Sequence, residues 1–516
     1  MTALSPRVNG KDFNIFKKIT VSHSIFNSDA DVIITFPIEH LSLFNEGTGV
    51  IEVSFNGNTV HSELNPNIGT ANVTIHNQGI SKIWLRLKSG GISTVRIQTN
   101  SAVETSSLSS ISGGLPIQIS ASSPSGDAFG RLRTSDPFTI FESKQLFDNR
   151  DIVWSTVLTS GGLSTFNSNR ASSLLSVTST IGSSAIRQTK PRFNYQAGKS
   201  MLDMSTFVMG TTPPGITKEV GCFDGYNGLF LRNDGYNLYF VVRSNVTGTP
   251  TDIATVSSSW NIDKLDGYGI SGVTLDITKA QILVIDFEWL GTGRVRFGFN
   301  IGGSTYYAHQ LLNSNNNSSV YMSTPNLPLR FQVTNVSSSI ASTFEQICNT
   351  VLSEGGFDSK GYSFSADRGS TPLASVTLTA PTYPLISLRL DTNKLGAVIV
   401  PKHISILCTT STAKFRWALI LNPTIAGADA ASWTAIANSA AQYDVSRTLT
   451  NTLSAGIQLT SGYGTEGTAT IEIDIETLYT LGINLSNVSD QLVVALQLMT
   501  NGPDSFAAAI SWKEFV

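Results

Sequence analysis

The chain has 516 residues, 41% of them apolar, a net charge of −3 and only 14% charged residues, against roughly 25% in ordinary soluble proteins. Its length corresponds to about three or four domains, each able to bury a core. Ser, Thr, Asn and Gly stand in place of the missing charge, which depletes helix formers and favours strands and turns, and the scattered Lys and Arg form no basic stripe of the kind a nucleic-acid binder carries.

Residues 1–100 read as an N-terminal β-sandwich that serves for attachment. Val32–Phe36 is a short strand closed by Pro37, and Ile51–Phe55 alternates before Asn56-Gly57, a strong hairpin signal. Along residues 83–87, Ile83, Leu85 and Leu87 share one face while Lys82, Trp84, Arg86 and Lys88 take the other. After the Ser89-Gly90-Gly91 turn, Val95 and Ile97 resume the alternation. This half-buried pattern is that of an antiparallel sandwich.

Residues 101–126 are rich in Ser and Gly and read as a linker or extended arm. Within it, Leu115, Ile117 and Ile119 can dock as a strand on a neighbouring subunit, and Arg131 and Arg133, flanking Leu132, can anchor the first strand beyond the arm by ion pairs.

Residues 127–370 form a central β-sandwich. Its richest hairpin places Leu283, Ile285, Phe287 and Trp289 on one side and Asp286 and Glu288 on the other. Gly291-Thr292-Gly293 turns the chain, so that Arg294 and Arg296 oppose the two carboxylates, and Gly302-Gly303 makes a second turn into Tyr306-Tyr307. Residues 371–516 form a C-terminal sandwich or jelly roll with strand candidates at 384–390, 397–400, 415–421, 468–475 and 492–496. Helix is rare, and residues 433–441 are the best short candidate. The fold class expected is therefore all-β, as several antiparallel sandwich or jelly-roll modules.

Cys222, Cys348 and Cys408 are too sparse for a disulfide framework and show no zinc-ligand spacing. Buried free thiols are expected, with no cofactor and no metal. There is no apolar run of about 18 residues to cross a membrane, and the N-terminal stretch lacks the apolar core of a signal peptide. We expect folding in a host cytoplasm and no membrane insertion.

The sharpest enzymatic candidate is Glu472, Asp474 and Glu476, which alternation puts on one face of a strand. Retaining glycosidases hold two carboxyls roughly 5–5.5 Å apart, and this segment resembles the E-x-D-x-E strand of laminarinase-like β-glucanases. Residues 467–471, which lead into it, include no aromatic to line a sugar cleft. A solvated polar strand face accounts for the same residues, and a cation site is a third reading. His23, His40, His61, His76, His309 and His403 are isolated in sequence, although four fall in the first domain. The segments 223–228 and 263–267 look like calcium-loop fragments without the full ligand series, so Asx-type turns are expected there. Trp84, Tyr226, Tyr236, Tyr268 and Tyr306, in turns or on outer faces, are available to stack on a sugar or a partner.

A family resemblance enters in the middle block. The run Gly126-Asp-Ala-Phe-Gly-Arg-Leu-Arg133 and its continuation to Gln145, together with 193–200, 260–276, 322–328 and the pair 346–348 and 353–356, resembles a segment found in structural proteins of tailed phages and some large DNA viruses. The resemblance spans about residues 126–360. It implies a non-enzymatic virion component: a head decoration or fibre, or a tail-associated protein. Its partners would be other virion proteins, further copies of itself as a homotrimer or other symmetric oligomer, and a host-surface glycan. The alternative, from another class, is a carbohydrate-binding adhesin or glycoside hydrolase using a sandwich groove.

Overall fold

The computed structural model describes residues 7–8, 11–12, 15–26, 31–33, 38–66, 73–76, 82–90, 92–101, 137–358, 360–377, 381–409, 413–465, 467–472, 479–500 and 502–515. Among these the helical element is a single 3₁₀ turn, Ser257–Ser259, and the rest is strand and turn. The fold is all-β, built as antiparallel sandwiches. The chain divides into two compact units, Met1–Gln118 and Ile119–Val516.

In the first unit, one sheet runs Ile15–Val21, Ser93–Ser101, Ile38–Asn45, Val73–His76, and the other Asp31–Ile33, Lys82–Ser89, Val50–Ser54, Ser62–Leu64. The alternation is realised over 83–86: Ile83 and Leu85 are fully buried, and Trp84 and Arg86, which follow each of them, are half-buried, as is Leu87. Ile83 and Leu85 pack on Val21, Leu41, Leu43, Val53 and Val95. Gly57, at a φ of +78°, sits in the turn between Val50–Ser54 and Ser62–Leu64, the left-handed conformation that Asn-Gly signals.

The second unit holds two sandwiches, each with its own core. In the first, an eight-stranded sheet runs Leu163–Asn167, Ser172–Val177, Ser342–Glu354, Ser200–Val208, Ala280–Phe287, Val295–Ile301, Ser304–Leu311, with Phe138–Lys144 also on Ser342–Glu354. The facing sheet runs Trp154–Thr159, Ser184–Thr189, Leu329–Asn335, Ile216–Phe223, Gly228–Asn233, Leu238–Ser244, Thr251–Val256. Aromatics fill the space between them: Phe240 stacks on Phe297 at 4.7 Å and on Trp260 at 4.3 Å, geometry that adds to the hydrophobic gain.

The second sandwich sets Tyr362–Asp367, Asp504–Phe515, Val398–Cys408 and Gly467–Glu472, with Leu373–Val376 beside Asp504–Phe515, against a sheet ordered Thr434–Ala435, Ala441–Asp444, Tyr383–Leu390, Gln491–Leu498, Phe415–Leu421, Ile457–Gly464. The helix expected over 433–441 is not formed. Thr434 and Ala435 pair instead with Tyr443 and Gln442 as a short hairpin, and Arg389 lies 4.2 Å over the Trp433 ring. Sheet pairing outweighs the helix propensity of an alanine-rich stretch. Cys222 and Cys408 are buried, and Cys348 is half-buried.

Candidate functional site

Glu472 ends strand Gly467–Glu472, where His403 is its cross-strand partner. Asp474 and Glu476 lie outside the described residues, as do Leu115, Ile117, Ile119, Arg131 and Arg133 of the expected arm. His40 and His76 are register partners in the first unit. The two calcium-like fragments are turns: Asp224 accepts the backbone N–H of Tyr226 and Asn227, and Asp263 accepts those of Leu265 and Ser271. Among the described residues, no three His, Cys, Asp or Glu side chains gather as metal ligands. Tyr226, Tyr236 and Tyr268 are exposed, whereas Tyr306 packs partly against the core.

The hairpin carboxylates are not on a solvated face. Asp286 and Arg296 oppose each other as expected, yet both are fully buried and ion-paired. Asp286 also accepts from Tyr307 Oη at 2.9 Å and Ser200 Oγ at 2.7 Å. Residues 260–263 explain the burial. Ile262 and Asp263 hydrogen-bond to Ala308 O over the edge strand, and Ile262 packs on Leu202, Val284 and Tyr307, closing that face.

A second polar array lies between the sheets. Met201, Asp203, Ser205 and Phe207 follow one another on the core-facing side of Ser200–Val208. Ser205 Oγ donates to Asp203 Oδ1 at 3.2 Å, and Asn349 Nδ2 donates to Ser205 Oγ at 2.9 Å. Gln346 Nε2 donates to Asn349 Oδ1 at 3.1 Å, and Arg187 Nε of the opposite sheet donates to Gln346 Oε1 at 2.8 Å. Burial pushes the Asp203 carboxyl up to about 8 and pulls Arg187 down to about 10. Asp203 Oδ2 has no hydrogen-bond partner.

Four segments, 193–195, 227, 288–289 and 321–327, interlock at one end of this sandwich. Phe193 N donates to Leu327 O, and Tyr195 N donates to Asn326 Oδ1 at 3.0 Å. Trp289 Nε1 donates to Met322 O at 3.0 Å, Tyr321 Oη to Glu288 O at 2.7 Å, and Ser323 N to Asn227 Oδ1 at 3.0 Å. Two cavities open beside this knot. One, of about 510 Å³, lies among Tyr195, Trp289, Asn326 and Lys394; the Tyr195 hydroxyl is buried without a partner, and burial raises its pKa. The other, of about 380 Å³, is lined by Arg192, Asp224, Tyr226 and Arg330 with Leu485 and Asn487 of the second sandwich. A larger opening of about 750 Å³ beside 210–214 and 340–343 is lined by no titratable side chain, so the two smaller cavities carry the chemistry.

Of these lining residues, sequence reasoning named Tyr226 and Trp289, and reached Asp224, Tyr195 and Asn326 only as parts of 223–228, 193–200 and 322–328. Arg192, Arg330, Trp289 and Lys394 come from strands and loops far apart in the chain, and no local pattern joins them.

No family model and no curated protein matches this chain. Similar solved structures include a protein of unknown function from Shewanella oneidensis MR-1, at 8% identity over 44% of this chain and 93% of that one, with a TM-score of 0.28. A legume lectin-like domain from Entamoeba histolytica matches at 9% identity over 42% and 98%, with a TM-score of 0.26. A glycoside hydrolase family 16 endo-glucanase from Bacteroides ovatus matches at 8% identity over 41% and 99%, with a TM-score of 0.28.

Proposed function

We propose that this chain is a non-enzymatic structural subunit of a phage virion, made in the host cytoplasm and displayed on the particle as a head decoration or fibre, or with the tail. The observation that carries the reading is the knot of 193–195 and 321–327. The segments that resemble virion proteins hydrogen-bond to one another and brace a sandwich end. Their polar groups serve as framework, as do Asp286 and Arg296 in the neighbouring hairpin. A protein assembled in many copies needs rigid modules with few mobile surface charges, and 14% charged residues suits that. Closed symmetry is the usual state of homo-oligomers, and a trimer is the state we propose.

Mass spectrometry of purified particles tests the reading, with cryo-EM to place the chain. The chain is expected among the particle proteins at a copy number divisible by its oligomer; its absence from intact particles overturns the proposal. Incubation with polysaccharides tests the non-enzymatic part. Release of sugar that disappears in Glu472→Gln would overturn it.

A further inference from the structure

The cavity of about 380 Å³ on the outer face of the seven-stranded sheet has an uncommon charge arrangement. Its titratable lining is two guanidinium groups, Arg192 and Arg330, one carboxylate, Asp224, and the Tyr226 phenol. Two cations less one anion leave a formal charge of +1. Asp224 is already committed: its Oδ2 accepts from Arg192 Nη2 at 2.6 Å, and its Oδ1 accepts two backbone N–H groups.

Arg330 has no such partner. Its hydrogen bonds go to amide oxygens: Nε and Nη2 to Gln332 Oε1, at 3.0 and 2.6 Å, and Nη1 to Gln188 Oε1 at 3.4 Å. Among the described residues it forms no ion pair. A guanidinium has five N–H donors, so two of Arg330's remain uncommitted. Its plane lies over the Phe223 ring, 5.3 Å from the centroid, which holds it in one orientation. Arg192 adds a buried Nε with no partner. Burial pulls Arg330 down to about 10, still well above neutral pH, so it stays charged. The guanidinium is half-buried, and Glu219 and Asp224 act on it through space without an ion pair, so it keeps donors to offer a ligand anion.

We propose that this cavity binds the carboxylate of an acidic sugar, with Arg330 as its principal anchor and Arg192 beside it. The planar fork of a guanidinium matches a carboxylate through two parallel hydrogen bonds. The rest of the lining suits a pyranose. Val157, Ile186 and Leu485 supply apolar wall for its C–H face. Gln188 and Asn487 supply amide groups for its hydroxyls. The half-exposed Tyr226 ring stands at the rim, where it can stack. The volume falls at the lower end of the ligand-pocket range of roughly 300–1,000 Å³, as a single sugar residue requires. The inference stands independently of the virion reading, because particle proteomics tests one and sugar titration tests the other.

The test is titration of the full chain, by calorimetry and saturation-transfer NMR, with glucuronate and N-acetylneuraminate, each up to ~10 mM. Glucose serves as the neutral control and inorganic phosphate as the free anion. One of the two acidic sugars is expected to bind at least about tenfold more tightly than either control, and Arg330→Gln to weaken it by at least about tenfold. Arg330 packs on Phe223, so Tyr226→Ala is the second variant. It is expected to weaken the acidic sugar several-fold while leaving the melting temperature unchanged. Binding of neither acidic sugar overturns the proposal. So does glucose or phosphate binding as tightly, or an affinity indifferent to both substitutions.

Discussion

Asp286 and Arg296 pair across a β-hairpin with neither side chain exposed to solvent. The arginine lies 4.2 Å over the Tyr307 ring, and the tyrosine's hydroxyl donates to the same carboxylate. One buried charge is thus satisfied from three directions. Removing a single partner of a buried pair strands the other, at a cost of about 3–5 kcal/mol, whereas replacing both with apolar groups is often neutral. Asp286→Ala is therefore expected to lower the opening free energy of the 280–311 strands by about that amount. The double variant Asp286→Leu/Arg296→Met should recover most of it. Hydrogen exchange on peptides from those strands measures both; equal protection in the single and double variants would contradict the account.

Asp203 makes a pH-dependent contribution of definite sign. Its carboxyl is raised by burial from an ordinary value near 3.8 to about 8. The folded state therefore binds more protons than the unfolded state between those values. This stabilisation is complete below the unfolded pKa and is lost as pH rises through the folded one, at a slope of up to about 1.4 kcal/mol per pH unit. His309, pulled down to about 4 by burial, opposes the trend below its ordinary value of 6.5. Lys218, pulled down to about 8 by burial, opposes it above pH 8. Asp203 therefore dominates between about pH 6.5 and 8. Wild-type stability should fall across that window, and Asp203→Asn should flatten the fall. Chemical unfolding at several pH values, followed on the central sandwich, is the measurement.

The two sandwiches of the second unit meet through residues 479–490. Ile483 N donates to Lys190 O, Leu485 N donates to Ser155 Oγ, and Tyr479 Oη bridges Ile152 O and Asp490. Gly482 sits at the joint: a Cβ there would come within 2.5 Å of the Lys190 carbonyl carbon and 2.6 Å of its oxygen. Backbone cannot yield as a flexible side chain does. Gly482→Val is expected to part the sandwiches without unfolding either. Beside any transition of the first unit, calorimetry is then expected to resolve two transitions for the second unit where the parent is expected to give one, and a single unshifted transition for that unit would refute this role.

The sequence made the strands legible because burial on one face writes a two-residue period. Leu283, Ile285 and Phe287 are placed correctly on that ground. The same period cannot tell whether the opposite face is covered. Asp286 and Arg296 read as an opposed pair, but their burial was not legible because their cover, Ile262, belongs to a separate segment that crosses the sheet edge. Residues 433–441 read as helix because alanine favours it locally, while their strand partners are decided by the sheet. The cavities were illegible for a related reason. Arg192 and Arg330 are ordinary arginines in sequence, and what distinguishes Arg330 is that its hydrogen bonds go to amide oxygens, visible only in three dimensions.

Glu514 shows how far the second sandwich depends on one buried carboxylate. It lies near the end of strand Asp504–Phe515 and is fully buried. Its Oε1 accepts from Trp512 Nε1 at 2.7 Å and from Ser439 Oγ, and its Oε2 accepts from Ala440 N at 2.8 Å. It thereby fixes the indole of its own strand and ties residues 439–440, at the entry to Ala441–Asp444, across to the other sheet. Hydrogen bonds to an ionised group contribute about 1.5–3 kcal/mol each, and an orphaned buried donor costs about 1–3 kcal/mol more. Glu514→Ala leaves three donors facing a void and is expected to unfold the second sandwich under conditions the parent survives. Glu514→Gln keeps the shape and one carbonyl acceptor. Its amide N–H₂ then confronts either the Ala440 N–H or the Trp512 and Ser439 donors, so a smaller loss of about 2–4 kcal/mol is expected. Ser439→Ala removes a single donor and should cost about 1–2 kcal/mol. Limited proteolysis between 439 and 441 would rank the three variants, and the order Ala worst, Gln next, Ser439→Ala mildest is the outcome this geometry requires.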